Sequence, residues 1–328
     1  MRLLMLGGSG FVGRALVNDA LSRGWDVTLL HRGSRRPPAG ATVLRGDRTA
    51  PDGLAALGDG AWDLVVDTWS ARPSAVRDAA AALAERAGRY VYVSSGSVYA
   101  DPVDHRAAEH GLLLDGSPDD GDVSYPQAKR GGELAVTGAF GEDRSLLVRA
   151  GLILGPGEDV GRLTWWLGRI ARGGPVLAPG PRDLPLQYVD ARDLASWTLD
   201  AAERGLSGPY NLVSRPGHAS MGELLEACVA ATGSDAELRW TDPGRIAAAK
   251  IAPWTELPIW APPGELHEFL YGADTSKAFA AGLHCRPVTE TVADTWEWLK
   301  TLDGVSPQRP DRPVLGLTPE AEAAALRV

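Results

Sequence analysis

The chain has 328 residues, enough for one large domain or two modest ones with a sizeable core. Hydrophobic residues make up 44% and charged residues 23%, which excludes long disorder, collagen and coiled coil. The net charge is −9 and basic residues cluster only in His31-Arg32-Gly33-Ser34-Arg35-Arg36. That balance argues against nucleic acid as a partner and for a small-molecule substrate.

No apolar run approaches the ~20 residues of a membrane helix, and Met1–Leu6 is too short for a signal-peptide core. Cys228 and Cys285 lie far apart, so neither a disulfide framework nor a zinc cluster is expected. A cytoplasmic chain with no membrane partner and no metal site is the expectation.

In chain order, the apolar run Arg2–Leu6 reads as a buried strand, followed by a glycine-rich turn and a helical pattern over 11–22. Further strands are expected at 26–30, 42–44, 62–66, 90–93 and 145–149, with helices at 73–87 and 125–137 between them. Strand and helix alternating at this spacing predict an α/β fold, a doubly wound parallel sheet covered on both faces. After about residue 150 prolines multiply, helices are expected at 190–204, 220–232 and 289–301, and short strands at 186–189 and 209–213. The predicted organisation is a dinucleotide-binding core over 1–155 and a smaller substrate-binding lobe over 156–304, interleaved with the last core strands. Residues 305–328 are expected as a surface tail, and 101–123, rich in aspartate and glycine, as a loop over the site.

Gly7-Gly8-Ser9-Gly10-Phe11-Val12-Gly13 spaces glycines G-x-x-G-x-x-G between the first strand and the first helix. One glycine allows the tight turn, another lets backbone N–H groups approach a pyrophosphate, and a third packs helix on strand. The helix N-terminus then faces the anion with its partial positive charge. Gly7, Ser9, Gly10, Phe11, Val12 and Gly13 are therefore candidate cofactor contacts. An NAD-preferring site carries an acid ~20 residues after this fingerprint. Here the second strand ends in His31 and Arg32, with Arg35 and Arg36 close behind, where a 2′-phosphate would sit. NADP(H) is the expected cofactor and NAD(H) the alternative. Asp47, after the third strand, is a candidate acceptor for the adenine amino group.

Tyr125-Pro126-Gln127-Ala128-Lys129 places a tyrosine and a lysine on one helix face. Upstream, the strand Tyr90–Val93 ends in Ser94-Ser95-Gly96-Ser97, at the edge where parallel sheets bind ligands. A free tyrosine, with pKa ~10, is a poor base. A cationic lysine one turn away favours the phenolate, so the tyrosine can exchange a proton with a substrate oxygen while hydride moves to carbon. A serine hydroxyl would hold the same oxygen.

With these pieces together, the sequence resembles the short-chain dehydrogenase/reductase superfamily and its extended branch of NAD(P)-dependent epimerases, dehydratases and reductases. GGSGFVG at 7–13, Asp47, VYVSSGSVYA at 91–100, YPQAK at 125–129, RAGLILGPG at 149–157 and QYVDARDLA at 187–195 carry the resemblance. It implies a Rossmann core and, residue by residue, Tyr125 as general acid/base, Lys129 as holder of the nicotinamide ribose, and Ser95 as the substrate-oxygen serine. Ser97 is the second choice and otherwise a substrate contact. Thr68, Trp69 and Ser94 are expected beside the cofactor together with Tyr125 and Lys129. Asp67-Thr68-Trp69-Ser70-Ala71 departs from the His-x-Ala-Ala segment frequent in the family. Trp165, Arg162 and Gln187 are candidate substrate contacts, with Trp166, Trp254, Trp260 and Arg169 as further candidates. A homodimer is compatible with the family.

Three functions compete. The first is an NADP(H)-dependent carbonyl reductase or alcohol dehydrogenase acting on a small cyclic or polyfunctional substrate. The second is a sugar-nucleotide epimerase or dehydratase. The third is a non-catalytic nucleotide-sensing or RNA-associated relative, against which the intact serine, tyrosine and lysine speak.

Overall fold

The computed structural model describes residues 1–100, 108–309 and 312–327. The first part of the loop expected at 101–123 thus lies outside the described residues. The chain divides into two compact units that exchange segments along the sequence.

The first unit comprises Met1–Gly151, Ala191–Val213 and Ala273–His284. In chain order it contains β1 (Arg2–Leu6), α1 (Phe11–Ser22), β2 (Asp26–His31), β3 (Thr42–Arg45), β4 (Trp62–Asp67) and α2 (Pro73–Leu83). It continues with β5 (Ala87–Ser95), α3 (Tyr125–Phe140), β6 (Ser145–Ala150), α4 (Ala191–Glu203) and β7 (Gly208–Leu212). All seven strands are parallel, in the order β7-β6-β5-β4-β1-β2-β3. Order reverses at β1, so a crevice opens at the carboxyl ends of β1 and β4, where such sheets bind ligands. The central strands are apolar on both faces because helices cover both: Leu3, Leu4, Met5, Leu64, Val65 and Val66 are fully buried.

The second unit comprises Leu152–Asp190, Ser214–Gly272 and Cys285–Val328. It holds three two-stranded pairings: Tyr188–Asp190 with Leu152–Leu154, Ala219–Ser220 with Pro185–Leu186, and Glu237–Thr241 with Pro175–Pro179. Its own core includes Leu163, Trp166, Met221, Leu224, Leu225, Trp260, Val292 and Leu299. Helix Met221–Thr232 starts with a reciprocal cap between Ser220 and Glu223 and stops at left-handed Gly233.

Three expected elements change. The helical pattern at 73–87 stops at Leu83, because Ala87 begins β5 and pairs with Trp62. The expected strand at 186–189 is two short pieces, Pro185–Leu186 and Tyr188–Asp190, each with a different partner strand. The segment expected as a surface tail carries buried Leu317 and Glu322, and helix Pro319–Leu326 bonds to the rest of its unit. Among the described residues no helix is long and apolar enough to cross a membrane, and no cluster of His, Cys, Asp or Glu could hold a metal ion.

Candidate active site

The loop between β1 and α1 has the backbone a dinucleotide cradle needs. Gly7 and Gly8 adopt φ of +113° and +87°, and a Cβ on Gly13 would lie 2.7 Å from the Gly8 Cα. The first turn of α1 therefore packs directly on the loop. Gly10 caps the helix, and the Arg35 Nη1 lies 3.8 Å from where its Cβ would stand. Backbone N–H groups of Ser9, Gly10, Phe11 and Val12 lie at this half-buried turn, where the first amides of a helix have no intrahelical acceptor. These residues fit a dinucleotide pyrophosphate.

At the end of β2 a cavity of about 480 Å³ is lined by His31, Gly33, Ser34, Arg35, Arg36, Pro37, Val43 and Arg45. Among the described residues no carboxylate lines it. His31 is buried, and its Nδ1 accepts a hydrogen bond from the Gly33 N–H at 3.2 Å. Burial, and then Arg45 beside it, lowers its pKa, so His31 contributes a neutral ring rather than a cation. Arg32 is exposed and is absent from the lining, whereas its charge acts on Asp47. Asp47 is engaged locally: its Oδ1 accepts from the Thr49 hydroxyl at 2.7 Å and the Thr49 N–H at 3.1 Å, which hold its pKa down. Arg35 and Arg36, expected here from the sequence, both line the cavity; Arg45, on the third strand rather than the second, is the residue the sequence did not single out. The parallel register that sets Arg45 opposite His31 is the signal that would have found it.

The three residues expected to be catalytic lie on β5 and α3. Ser95 closes β5, accepts from the Ser97 N–H at 3.2 Å, and donates from Oγ to the Ser97 Oγ at 3.0 Å. The two serines thus form one hydroxyl pair at the carboxyl edge of the sheet. Tyr125 opens α3 and is half-buried; Lys129 is one turn on and buried. The Lys129 Nζ donates to the carbonyls of Trp69 and Val93, each at 2.6 Å, and stands 4.8 Å from the centre of the Tyr92 ring. Helix and strand come this close because position 132 is glycine: a Cβ there would collide with the Tyr92 hydroxyl.

Behind the trio lie two buried polar arrays. The Ser94 hydroxyl, expected beside the cofactor, donates to Glu133 Oε1 at 2.8 Å. Arg149 grips both Glu133 oxygens, at 2.9 and 3.1 Å, and donates to the Tyr99 hydroxyl. Ser94 thus ties α3 to β5. The second array pairs Arg48 with Asp67 at 2.7 Å, below Trp69. Thr68, between Asp67 and Trp69, places its Oγ1 2.9 Å from where a Gly7 Cβ would stand. The turn after β4 therefore borders the glycine loop.

Of the expected substrate residues, Ser97 lies in the first unit, and Gln187, Arg162 and Trp165 lie in the second. Gln187 is fully buried and its Nε2 donates to the Ser214 carbonyl at 2.7 Å. Arg162 stacks over Trp254, 5.3 Å from the ring centre, and Trp165 is half-buried edge-on to Trp166. Trp166 and Trp260 are core, with indole N–H groups donating to the carbonyls of Pro258 and Gly180. Arg169 is buried and bonded to Glu322, which corrects the expectation of an anion contact there.

The family model for the NAD dependent epimerase/dehydratase family matches residues 3–212, more than half the chain, and the chain belongs to that family. Its fold is that of the extended short-chain dehydrogenase/reductase superfamily. Among solved structures it is similar to the Bordetella bronchiseptica enzyme WbmH in complex with NAD+, at 19% identity and TM-score 0.69, covering 93% of this chain and 99% of that one. It is similar to the UDP-glucose 4-epimerase of Thermus thermophilus in complex with NAD, at 22% identity and TM-score 0.63, covering 92% and 99%. The UDP-glucuronic acid 4-epimerase of Bacillus cereus in complex with NAD matches at 17% identity and TM-score 0.62, covering 92% and 99%. No curated protein matches the chain significantly in sequence.

Proposed function

We propose that this chain is an enzyme that moves hydride between a bound nicotinamide dinucleotide and a carbinol carbon of its substrate. The observation that carries this reading is the buried Lys129 ammonium, anchored on two carbonyls one helical turn after Tyr125, in the unit that holds the glycine cradle. Tyr125 takes the proton of the substrate hydroxyl or returns it to the carbonyl oxygen. The Ser95–Ser97 hydroxyl pair donates to that oxygen, and Lys129 stabilises negative charge as it forms on the phenol. The dinucleotide, when bound, accepts or supplies the hydride.

Of the reactions built on this step, the epimerase or dehydratase cycle stands first, because sugar-nucleotide epimerases are prominent among the structural neighbours. In that cycle a dinucleotide held by the glycine loop at 7–13 would stay bound through the turnover, and Tyr125 would both take and return the proton. The second reading, an NADP(H)-dependent reductase or dehydrogenase, is favoured by the basic cavity at the end of β2. A 2′-phosphate would sit there among Arg35, Arg36 and Arg45, so we propose NADP(H) as the preferred dinucleotide, although the Thermus and Bacillus enzymes are in complex with NAD.

The test is to denature the purified protein, identify any released dinucleotide, and titrate the emptied protein with NADPH and NADH. Retained dinucleotide with negligible exchange supports the epimerase or dehydratase cycle. Exchangeable binding that prefers NADPH supports the reductase. Failure to bind either overturns the proposal.

A further inference from the structure

Arg48 and Asp67 lie outside the glycine loop and outside the Ser95, Tyr125 and Lys129 trio, yet the hydrogen bonds lead from them to Lys129. The Asp67 carboxylate is fully buried and receives four donors. Arg48 approaches end-on, Nη1 to Oδ1 at 2.7 Å and Nη2 to Oδ2 at 2.8 Å. The Tyr90 hydroxyl adds a bond to Oδ2 at 2.7 Å, and the Trp69 N–H one to Oδ1 at 2.9 Å. Arg48 also donates to the Ala75 carbonyl in α2 at 2.9 Å, and its guanidinium stacks 5.1 Å from the Trp69 ring centre. The indole N–H closes the turn on the Arg72 carbonyl at 3.0 Å.

The consequence is that the Trp69 carbonyl, which belongs to no helix or strand, is held in place by its own N–H, its ring and its indole. That carbonyl accepts both the Lys129 Nζ at 2.6 Å and the Tyr92 hydroxyl at 3.0 Å. A second anchor of Lys129, the Val93 carbonyl, sits on β5 and is fixed by the sheet. Of these two anchors one is a strand carbonyl and one a turn carbonyl, and the turn carbonyl is the one that needs a support of its own. A buried ion pair contributes little net stability over apolar residues of the same size. Its value here is geometric.

We infer that Arg48 and Asp67 are positioning residues that fix Lys129 through the Trp69 carbonyl, so that the nicotinamide half of the dinucleotide is held at the reacting centre. This rests on the proposed dinucleotide chemistry. The charge-balanced double variant Arg48→Met/Asp67→Leu removes the support without leaving a buried unpaired charge. Its affinity for NADPH is measured beside that for 2′,5′-ADP, which carries the adenine half alone, with thermal melting as the control for folding.

The expected result is NADPH affinity weakened about tenfold and 2′,5′-ADP affinity within about twofold of wild type. A purely structural role would lower the melting temperature and leave the ratio of the two affinities unchanged, which overturns the inference. Arg48→Lys, which keeps the charge and loses the two-pronged bond, decides by the same ratio if the double variant does not fold. A wild-type protein that binds neither compound overturns the dinucleotide reading and this inference with it. Binding of both with an unchanged ratio overturns this inference alone.

Discussion

Arg45 stands opposite His31 in the ladder between β2 and β3, and both side chains line the same cavity of about 480 Å³. A strand neighbour therefore adds a guanidinium to the place where the sequence alone pointed to Arg32, Arg35 and Arg36. A phosphate held there would gain charge-assisted bonds of about 1.5–3 kcal/mol each, or roughly ten- to hundredfold in affinity. Arg45→Ala should weaken NADPH binding by at least about tenfold and change NADH binding by less than about twofold. Arg32→Ala should do less to NADPH, because Arg32 lies outside the lining. Titration of both variants with both dinucleotides decides, and equal losses for NADPH and NADH would remove Arg45 from phosphate recognition.

His31 gives the same site a pH signature. Burial, followed by the nearby Arg45, holds its pKa below the ordinary value, and its Nδ1 accepts the Gly33 N–H only while unprotonated. As pH falls below about 6.5 the unfolded chain takes up this proton before the folded one does. Stability present above that pH is thus lost as pH falls through about 6.5 toward the folded value. Melting temperatures between pH 7.5 and 5.5 should fall more steeply in the wild type than in His31→Gln. Parallel curves would mean that His31 titrates alike in both states.

Much of the first unit was legible because its signals are local. Glycine spacing fixes the β1–α1 turn, apolar runs fix strands buried on both faces, and a four-residue spacing puts Tyr125 and Lys129 on one helix face. The parts that escaped depend on neighbours distant in sequence. Ser94 read as a cofactor contact, and its partner Glu133 is 39 residues away. Asp67 and Arg48 are 19 residues apart, and nothing in either segment announces a buried pair. Gln187 and Arg169 were chosen for their chemistry, whereas their partners Ser214 and Glu322 become visible only when the second unit is folded.

Gly132 sets two effects against each other. Alanine inside a helix is favoured over glycine by about 1 kcal/mol. The added methyl would, however, collide with the hydroxyl and ring of Tyr92, which is fully buried and bonded to the Trp69 carbonyl. Overpacking of a rigid core costs about 1–3 kcal/mol, and here the colliding groups have no room to yield. Gly132→Ala should therefore lower the melting temperature by several degrees despite its better propensity. A rise in melting temperature would show that α3 can back away from β5.

Arg169 and Glu322 are buried, and the pair joins helix Pro319–Leu326 to helix Leu163–Ala171. Glu322 also accepts the Leu177 N–H at 3.1 Å, while Arg169 donates to the Pro175 carbonyl at 2.6 Å. Removing one partner leaves an uncompensated buried charge, at a cost of about 3–5 kcal/mol, whereas replacing both with apolar residues is close to neutral. Glu322→Ala should accordingly lower the melting temperature markedly, and Arg169→Met/Glu322→Leu should restore most of it. The double variant should also bind dinucleotide like the wild type, because Arg169 is committed to the fold of the second unit. Equal destabilisation by the single and double changes would mean that packing of the terminal helix, rather than the charge pair, holds it down.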